Sequence, residues 1–203
     1  MSESQITIFD LIRHGEPVGG RKYRGQTDDP LSEKGWAQMR QAVHGHCPWQ
    51  VIISSPLSRC VEFSRELAAR HALPFETDAR LMEIGFGAWE SRTPAELTAA
   101  DPDLLRRFRR DPVAHAPPGA EPLTAFRLRI LAVWNDVLAR HGGQHVLVVA
   151  HAGVIRMFVA HVLETPLRHL FRLQVPNASI TRIRVEKNGA HEAPELLFHA
   201  GRL

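Results

Sequence analysis

Residues 6–17 read "ITIFDLIRHGEP". The first seven are β-branched or apolar apart from Asp10, with little polar alternation, as in a strand buried on both faces of a parallel sheet. The run then stops on Arg13, His14, Gly15 and Glu16. A strand that only needed to end could use any turn chemistry. A guanidinium, an imidazole and a flexible glycine in succession have the makings of an anion site with a nucleophile in it.

Working outward, the chain alternates strands with helices. Residues 19–35 are a Gly-, Asp- and charge-rich loop whose end opens a helix with Ser32 as N-cap. "WQVIISS" (49–55) is a second strand, and Ser55–Pro56 are expected to start a helix running to about Arg70. Short helical pieces follow, then the basic "LLRRFRRDP" (104–112) and the Pro/Gly loop "AHAPPGAEP" (114–122). An amphipathic helix over 123–141 stops at Gly142–Gly143. Residues 144–164 are again strand, tight turn and helix, and 179–200 hold two alternating strands around Asn188–Gly189. This order implies βαβ crossovers. The expectation is an α/β fold: one domain over residues 1–203, a three-layer αβα sandwich. Its mainly parallel sheet has helices on both faces, and an insertion of helices and loops, about 83–122, lies over the active site.

The 203 residues are 44% hydrophobic and 23% charged, ordinary for a globular chain. No window approaches the roughly 20 apolar residues of a membrane span. "MSESQITIF" has no basic segment leading into an apolar one, so a cytoplasmic location is expected. Cys47 and Cys60 lack CxxC spacing and read as a reduced pair. The net charge of +3 favours small anions and is too weak to argue for nucleic acid.

Three strands end alike. The first runs into Arg13-His14, the second into "SSPLSRC" with Arg59, and "HVLVVA" into His151. Ligands of open α/β sheets bind outside the carboxyl ends of strands, so these ends should converge. Arginines recognise phosphate with planar, bidentate geometry. A neutral histidine held through one ring nitrogen can attack through the other. Phosphoryl transfer needs positioning and charge stabilisation, which Arg13, Arg59 and His151 can supply. A leaving alkoxide needs a proton, and "RLMEIGFGAWE" offers Glu83, with Glu90 a second carboxylate nearby.

"LIRHGE", "SSPLSRC", "MEIGFGAWE" and "VVAHAGVIR", in that order, resemble the histidine phosphatase superfamily, the phosphoglycerate-mutase-like group. The resemblance implies His14 as the phosphorylated residue and Glu83 as general acid, then base. Arg13, Arg59 and His151 would hold the phosphoryl group, with Gly15 and Ala152 contributing to its binding. It implies no metal and no cofactor. The partner would be a small phosphorylated metabolite, with neither nucleic acid nor membrane, in an oligomeric state the sequence leaves open. Length and residues 86–122 are most similar to the α-ribazole phosphatase-like branch, whose substrate would be α-ribazole phosphate or a related nucleotide or sugar phosphate. The chain departs from that branch at Gly119-Ala120-Glu121-Pro122, where Gly-Gly-Glu-Ser is usual, and its "GEPVGGRKYRG" (15–25) is shorter and lacks the Asn that many members carry several residues after the glycine. The mutases' "WN" is also absent from the loop after Gly15.

Two rivals stay open: a phosphoglycerate-type mutase, and a phospho-ligand binding protein without turnover. "HGHC" (44–47) offers three metal-ligating side chains without a fourth and reads as a loop at a helix end. The 104–110 run is either a solvated face or a grip on a second anionic group. Tyr23, Phe86 and Trp89 either stack on a substrate ring or pack in the core or a lid.

Overall fold

The computed structural model describes residues 5–189 and 191–201. Six strands, β1 (Gln5–Arg13), β2 (Val51–Ser54), β3 (Phe75–Thr77), β4 (His145–Ala150), β5 (Ile180–Asn188) and β6 (His191–Gly201), form one sheet in the order β3-β2-β4-β1-β5-β6. The first four in that order are mutually parallel, and β5 and β6 turn the sheet antiparallel on the far side of β1. The helices are α1 (Glu33–Ala42), α2 (Ser58–His71), α3 (Pro94–Thr98), α4 (Leu104–Arg110), α5 (Leu123–Arg140) and α6 (Ala152–Val162).

Strand parity builds the two outer layers. Phe9, Leu11, Val51, Ile53, Val146 and Val148 join one cluster with Phe126, Ile130 and Trp134 of α5 and Ile155 and Phe158 of α6. Ile12, Ile52, Leu147 and Val149 join another with Met39 of α1 and Phe63 and Leu67 of α2. Both parities are apolar, which is why these strands read as continuous runs. Asp10 is the buried charge in β1. It is fully buried, and accepts from Trp49 Nε1 at 2.9 Å, His145 Nε2 at 2.9 Å and Arg182 at 2.8 and 2.9 Å. Burial pushes its carboxyl up, but these hydrogen bonds outweigh it and leave the pKa below the usual carboxylate value.

Register brings the strand ends together. Arg13 pairs with Ala150 and Ser54 with Val149. The His14 N–H continues the ladder to the Ala150 carbonyl at 3.0 Å, and the Ser55 N–H to the Val149 carbonyl at 3.0 Å. That bond holds Ser55 extended one residue past the end of β2, so α2 starts at Ser58, three residues later than expected. Asp28 caps it instead, its Oδ1 accepting from the Ser58 N–H and Oγ at 2.7 Å each. The Ser32 cap of α1 is present, its Oγ accepting from the Gly35 N–H at 3.0 Å. The edge strand β3 was not expected, because three residues are too few to show alternation. α5 ends at Arg140, and Gly143 follows in the left-handed region at φ +79°. Both cysteines are free.

Candidate active site

An open cleft of about 360 Å³ lies at the carboxyl end of the parallel strands, with Arg13, His14, Arg59, Glu83 and Ala152 on its walls. The His14 and His151 rings meet edge to face, centroids 5.2 Å apart. His14 is 6% exposed. Its Nδ1 lies 2.7 Å from the Gly15 carbonyl oxygen, which can only accept, so Nδ1 carries the proton. The lone pair is left on Nε2. Burial first, then the charges of Arg13 and Arg59, hold the ring well below the ordinary histidine pKa, so it is neutral near pH 7.

Gly15 lies behind His14 and is not part of the cleft wall. A Cβ there would come within 2.2 Å of the Gly35 carbonyl oxygen, and one on Gly35 within 2.1 Å of the Glu16 oxygen. The chain leaving His14 crosses the first turn of α1 backbone against backbone, which only paired glycines allow.

Arg59 is 1% exposed and donates to the Thr27 carbonyl at 2.7 Å and the Gly25 carbonyl at 2.8 Å. Arg13 donates to the Val175 carbonyl at 2.5 Å. The Nε atoms of both guanidiniums are buried without a hydrogen-bond partner among the described residues. Burial lowers the Arg13 pKa to about 10, with Glu83 opposing and Arg156, Arg24 and Arg59 adding to the fall. An anion among these cations would relieve the crowding.

His151 is fully buried, its Nε2 2.8 Å from Ser55 Oγ and the Cys60 thiol 3.7 Å away. Burial, then Arg59 and His14, keep it neutral. The strand-end reading expected His151 at the site; it packs against the His14 ring without reaching the cleft wall, and the Ser55 hydroxyl was missed.

Glu83 and Glu90 separate cleanly. Glu83 reaches the cleft wall, its Oε2 accepting from the Gly153 N–H at 3.1 Å, in the first turn of α6, and its Oε1 from the Ile84 N–H at 3.0 Å. A Cβ on Gly153 would strike Glu83 Oε1 at 2.2 Å. Glu90 instead ties loops together, accepting from the Phe86 N–H at 2.9 Å, the Gln26 N–H at 3.3 Å and Thr27 Oγ1 at 3.3 Å.

Several cleft residues went unread in the sequence. Arg156 lies four residues beyond Ala152 on α6, the spacing that puts two side chains on one face, and could have been found that way. It donates to the Leu173 carbonyl at 2.9 Å and lies over Phe171. Arg21, Lys22 and Arg24 arrive from a loop that carries no periodic signal. Of the basic run, Arg106 and Arg107 pair with Asp103 and Asp101, and Arg109 lines the cleft. Tyr23 and Phe86 are also on the wall. Trp89 is buried between Tyr23 and Phe108. His44 and His46 are exposed in the turn after α1. Among the described residues no three His, Cys, Asp or Glu side chains gather to hold a metal, and no helix is long and apolar enough to cross a membrane.

A family model described as the histidine phosphatase superfamily (branch 1) matches residues 9–193. The bifunctional protein Rv2228c of Mycobacterium tuberculosis is 33% identical over 186 residues, covering 89% of this chain and 50% of that protein. The chain thus spans about half the length of the curated relatives that it matches at this level. The adenosylcobalamin/alpha-ribazole phosphatase of Salmonella typhimurium is 29% identical over 170 residues, 81% of this chain and 84% of that one. The native structure of a mycobacterial glucosyl-3-phosphoglycerate phosphatase superposes with a TM-score of 0.84 at 26% identity, covering 97% of this chain and 99% of the other. With the family match running from β1 into β6 and the four sequence motifs gathered around one cleft, this chain belongs to branch 1 of the histidine phosphatase superfamily.

Proposed function

We propose that this protein is a phosphatase that hydrolyses a small phosphate monoester through a phosphohistidine at His14. The observation that carries the reading is the fixed, neutral His14 ring: Nδ1 bonded to the Gly15 carbonyl, the lone pair on Nε2, and beside it Arg13 and Arg59, whose buried Nε–H groups have no partner among the described residues. In the first step Nε2 attacks phosphorus, the ester P–O bond breaks, and the Glu83 carboxyl protonates the departing oxygen. In the second step the Glu83 carboxylate takes a proton from water as it attacks phospho-His14. The P–N bond breaks and its electron pair returns to Nε2. Arg13, Arg59, His151 and the N-terminus of α6 at Ala152 stabilise the charge on the transferring oxygens.

Two observations bear on the leaving group. Tyr23, Phe86 and Phe108 on the cleft wall favour a ring-bearing group, as in a nucleotide or sugar phosphate of the α-ribazole phosphate kind. Arg21, Lys22 and Arg109, which have no carboxylate within ion-pair distance among the described residues, favour an acidic one. Values of kcat/KM for α-ribazole phosphate, ribose phosphate and phosphoserine separate the two. Phosphate release measured beside 3- to 2-phosphoglycerate conversion tests the phosphatase against a mutase. Binding without turnover of any ester, including a generic aryl phosphate, would refute catalysis.

A further inference from the structure

We infer that Arg129 and Glu121 form a positioning pair that sets the Glu83 carboxyl against the cleft, so that proton delivery to the leaving group depends on an ion pair outside it. The inference rests on the reading of Glu83 as general acid. Glu83 lies between two short 3-10 turns, Ala79–Leu81 and Gly87–Trp89, with no sheet ladder to hold its backbone. Arg129 projects from α5 and takes over that task. Its Nη1 donates to the Arg80 and Met82 carbonyls at 2.5 and 2.7 Å, and its Nη2 to the Glu83 carbonyl at 3.1 Å. Its Nε and Nη2 donate to the two Glu121 oxygens at 2.7 and 2.8 Å. All five guanidinium N–H groups are therefore used.

Glu121 closes the other side. Its Oε2 accepts from the Gly85 N–H at 3.2 Å, and its own N–H donates to the Gly85 carbonyl at 2.9 Å. The backbone before, at and after Glu83 is thus pinned to one bidentate pair. Both side chains are 19% exposed, and the guanidinium lies over the Phe126 ring at 4.5 Å. Neither residue lines the cleft. Among the described residues the Glu83 carboxyl accepts only from the Gly153 and Ile84 N–H groups, while its carbonyl also accepts a long bond from Gln26 Nε2 at 3.4 Å. A shift of the backbone on which the carboxyl rides would pull it from α6. A lysine at 129 keeps the charge but cannot span three carbonyls and a carboxylate.

Burst and steady-state rates on p-nitrophenyl phosphate and on an alkyl phosphate test this, for wild type, Glu83→Gln, Arg129→Lys, Arg129→Gln and Glu121→Ala, with unfolding followed in parallel. A general acid is typically worth about 10²–10⁴-fold. Arg129→Gln and Arg129→Lys should slow the first step on the alkyl ester roughly 30-fold or more, and on the aryl ester less than about 3-fold, with KM for both nearly unchanged. Glu121→Ala leaves the three carbonyl bonds in place and should show the same selectivity at smaller size. It keeps the test decisive if an Arg129 variant does not fold. Equal losses on both esters, or stability loss without leaving-group selectivity, would overturn the inference. Selectivity in Glu83→Gln but in none of the others rejects the positioning pair alone, whereas its absence in Glu83→Gln rejects the acid role itself.

Discussion

Gly35→Ala should damage both stability and turnover, although Gly35 lies on a helix and outside the cleft. In an exposed helix interior the change would stabilise by about 1 kcal/mol. Here a Cβ would sit 2.1 Å from the Glu16 carbonyl oxygen and 2.9 Å from its C and N. Those atoms belong to backbone, so no side chain can swing aside. Reaching ordinary contact needs the crossing to open by about 1 Å or more. The Glu16 oxygen also accepts from the Ser32 N–H and Oγ at 2.9 Å each, so the displacement strains the bonds that seat the α1 cap. Overpacking at about 1–3 kcal/mol and two weakened hydrogen bonds at about 1 kcal/mol each exceed the helical gain, leaving a net loss of about 2–4 kcal/mol. The Gly15 carbonyl that orients His14 lies one residue before Glu16. A misplacement of about 1 Å there is worth up to about 100-fold in kcat. Urea unfolding and turnover of an aryl phosphate measure both effects. A variant as stable as wild type with full turnover would refute the crossing as the support of His14.

Three further outcomes follow from buried groups. His14 and His151 are neutral when folded, with pKa below the ordinary 6.5. Above that value they add no pH dependence; below it the unfolded chain binds protons that the folded one does not, so stability should fall by about 1.4 kcal/mol per pH unit per ring. Urea midpoints from about pH 7.5 to 5.5 should show this slope, smaller in His14→Gln, and a flat wild-type profile would contradict it. Burial pushes the Cys60 thiol up to about 12, while Cys47 is half-buried. An alkylating thiol reagent should label one cysteine in the native protein and two after unfolding, and rapid double labelling would count against the packing around His151. Asp10→Asn should cost about 2–3 kcal/mol, below the 3–5 typical of breaking a buried pair, because the Arg182 partner left behind is 26% exposed. A loss under about 1 kcal/mol would show that the Asp10 network contributes little.

What was legible in the sequence were features written in contiguous residues. From the mainly apolar runs of β1, β2 and β4 and the residues that follow them came the sheet, the strand-end rule and the positions of His14, Arg59 and His151. Ser32 as a cap was legible because its partner is three residues away. Ser55 was misread as a helix start: its N–H is claimed by the Val149 carbonyl, and the cap of α2 comes from Asp28, thirty residues away in the chain. β3 is too short to carry a pattern. Glu83 and Glu90 could not be told apart by spacing, since what separates them is what each carboxylate bonds, the first turn of α6 for Glu83 and the loops around Phe86 and Gln26 for Glu90. The Arg129 fork shows the limit most clearly. It is one more arginine on an amphipathic helix until the chain brings three carbonyls against it.

Trapping the intermediate tests the central claim most directly. The protein is mixed with a phosphate-labelled ester, quenched within one turnover, and mapped by peptide. Attack by His14 Nε2 predicts one label per chain on the peptide holding His14, stable in base, lost in acid as a phosphorus–nitrogen bond is, and absent from His14→Ala, which should not turn over. A label that survives acid or maps to a serine or a carboxylate would contradict covalent catalysis at His14, as would wild-type turnover by His14→Ala.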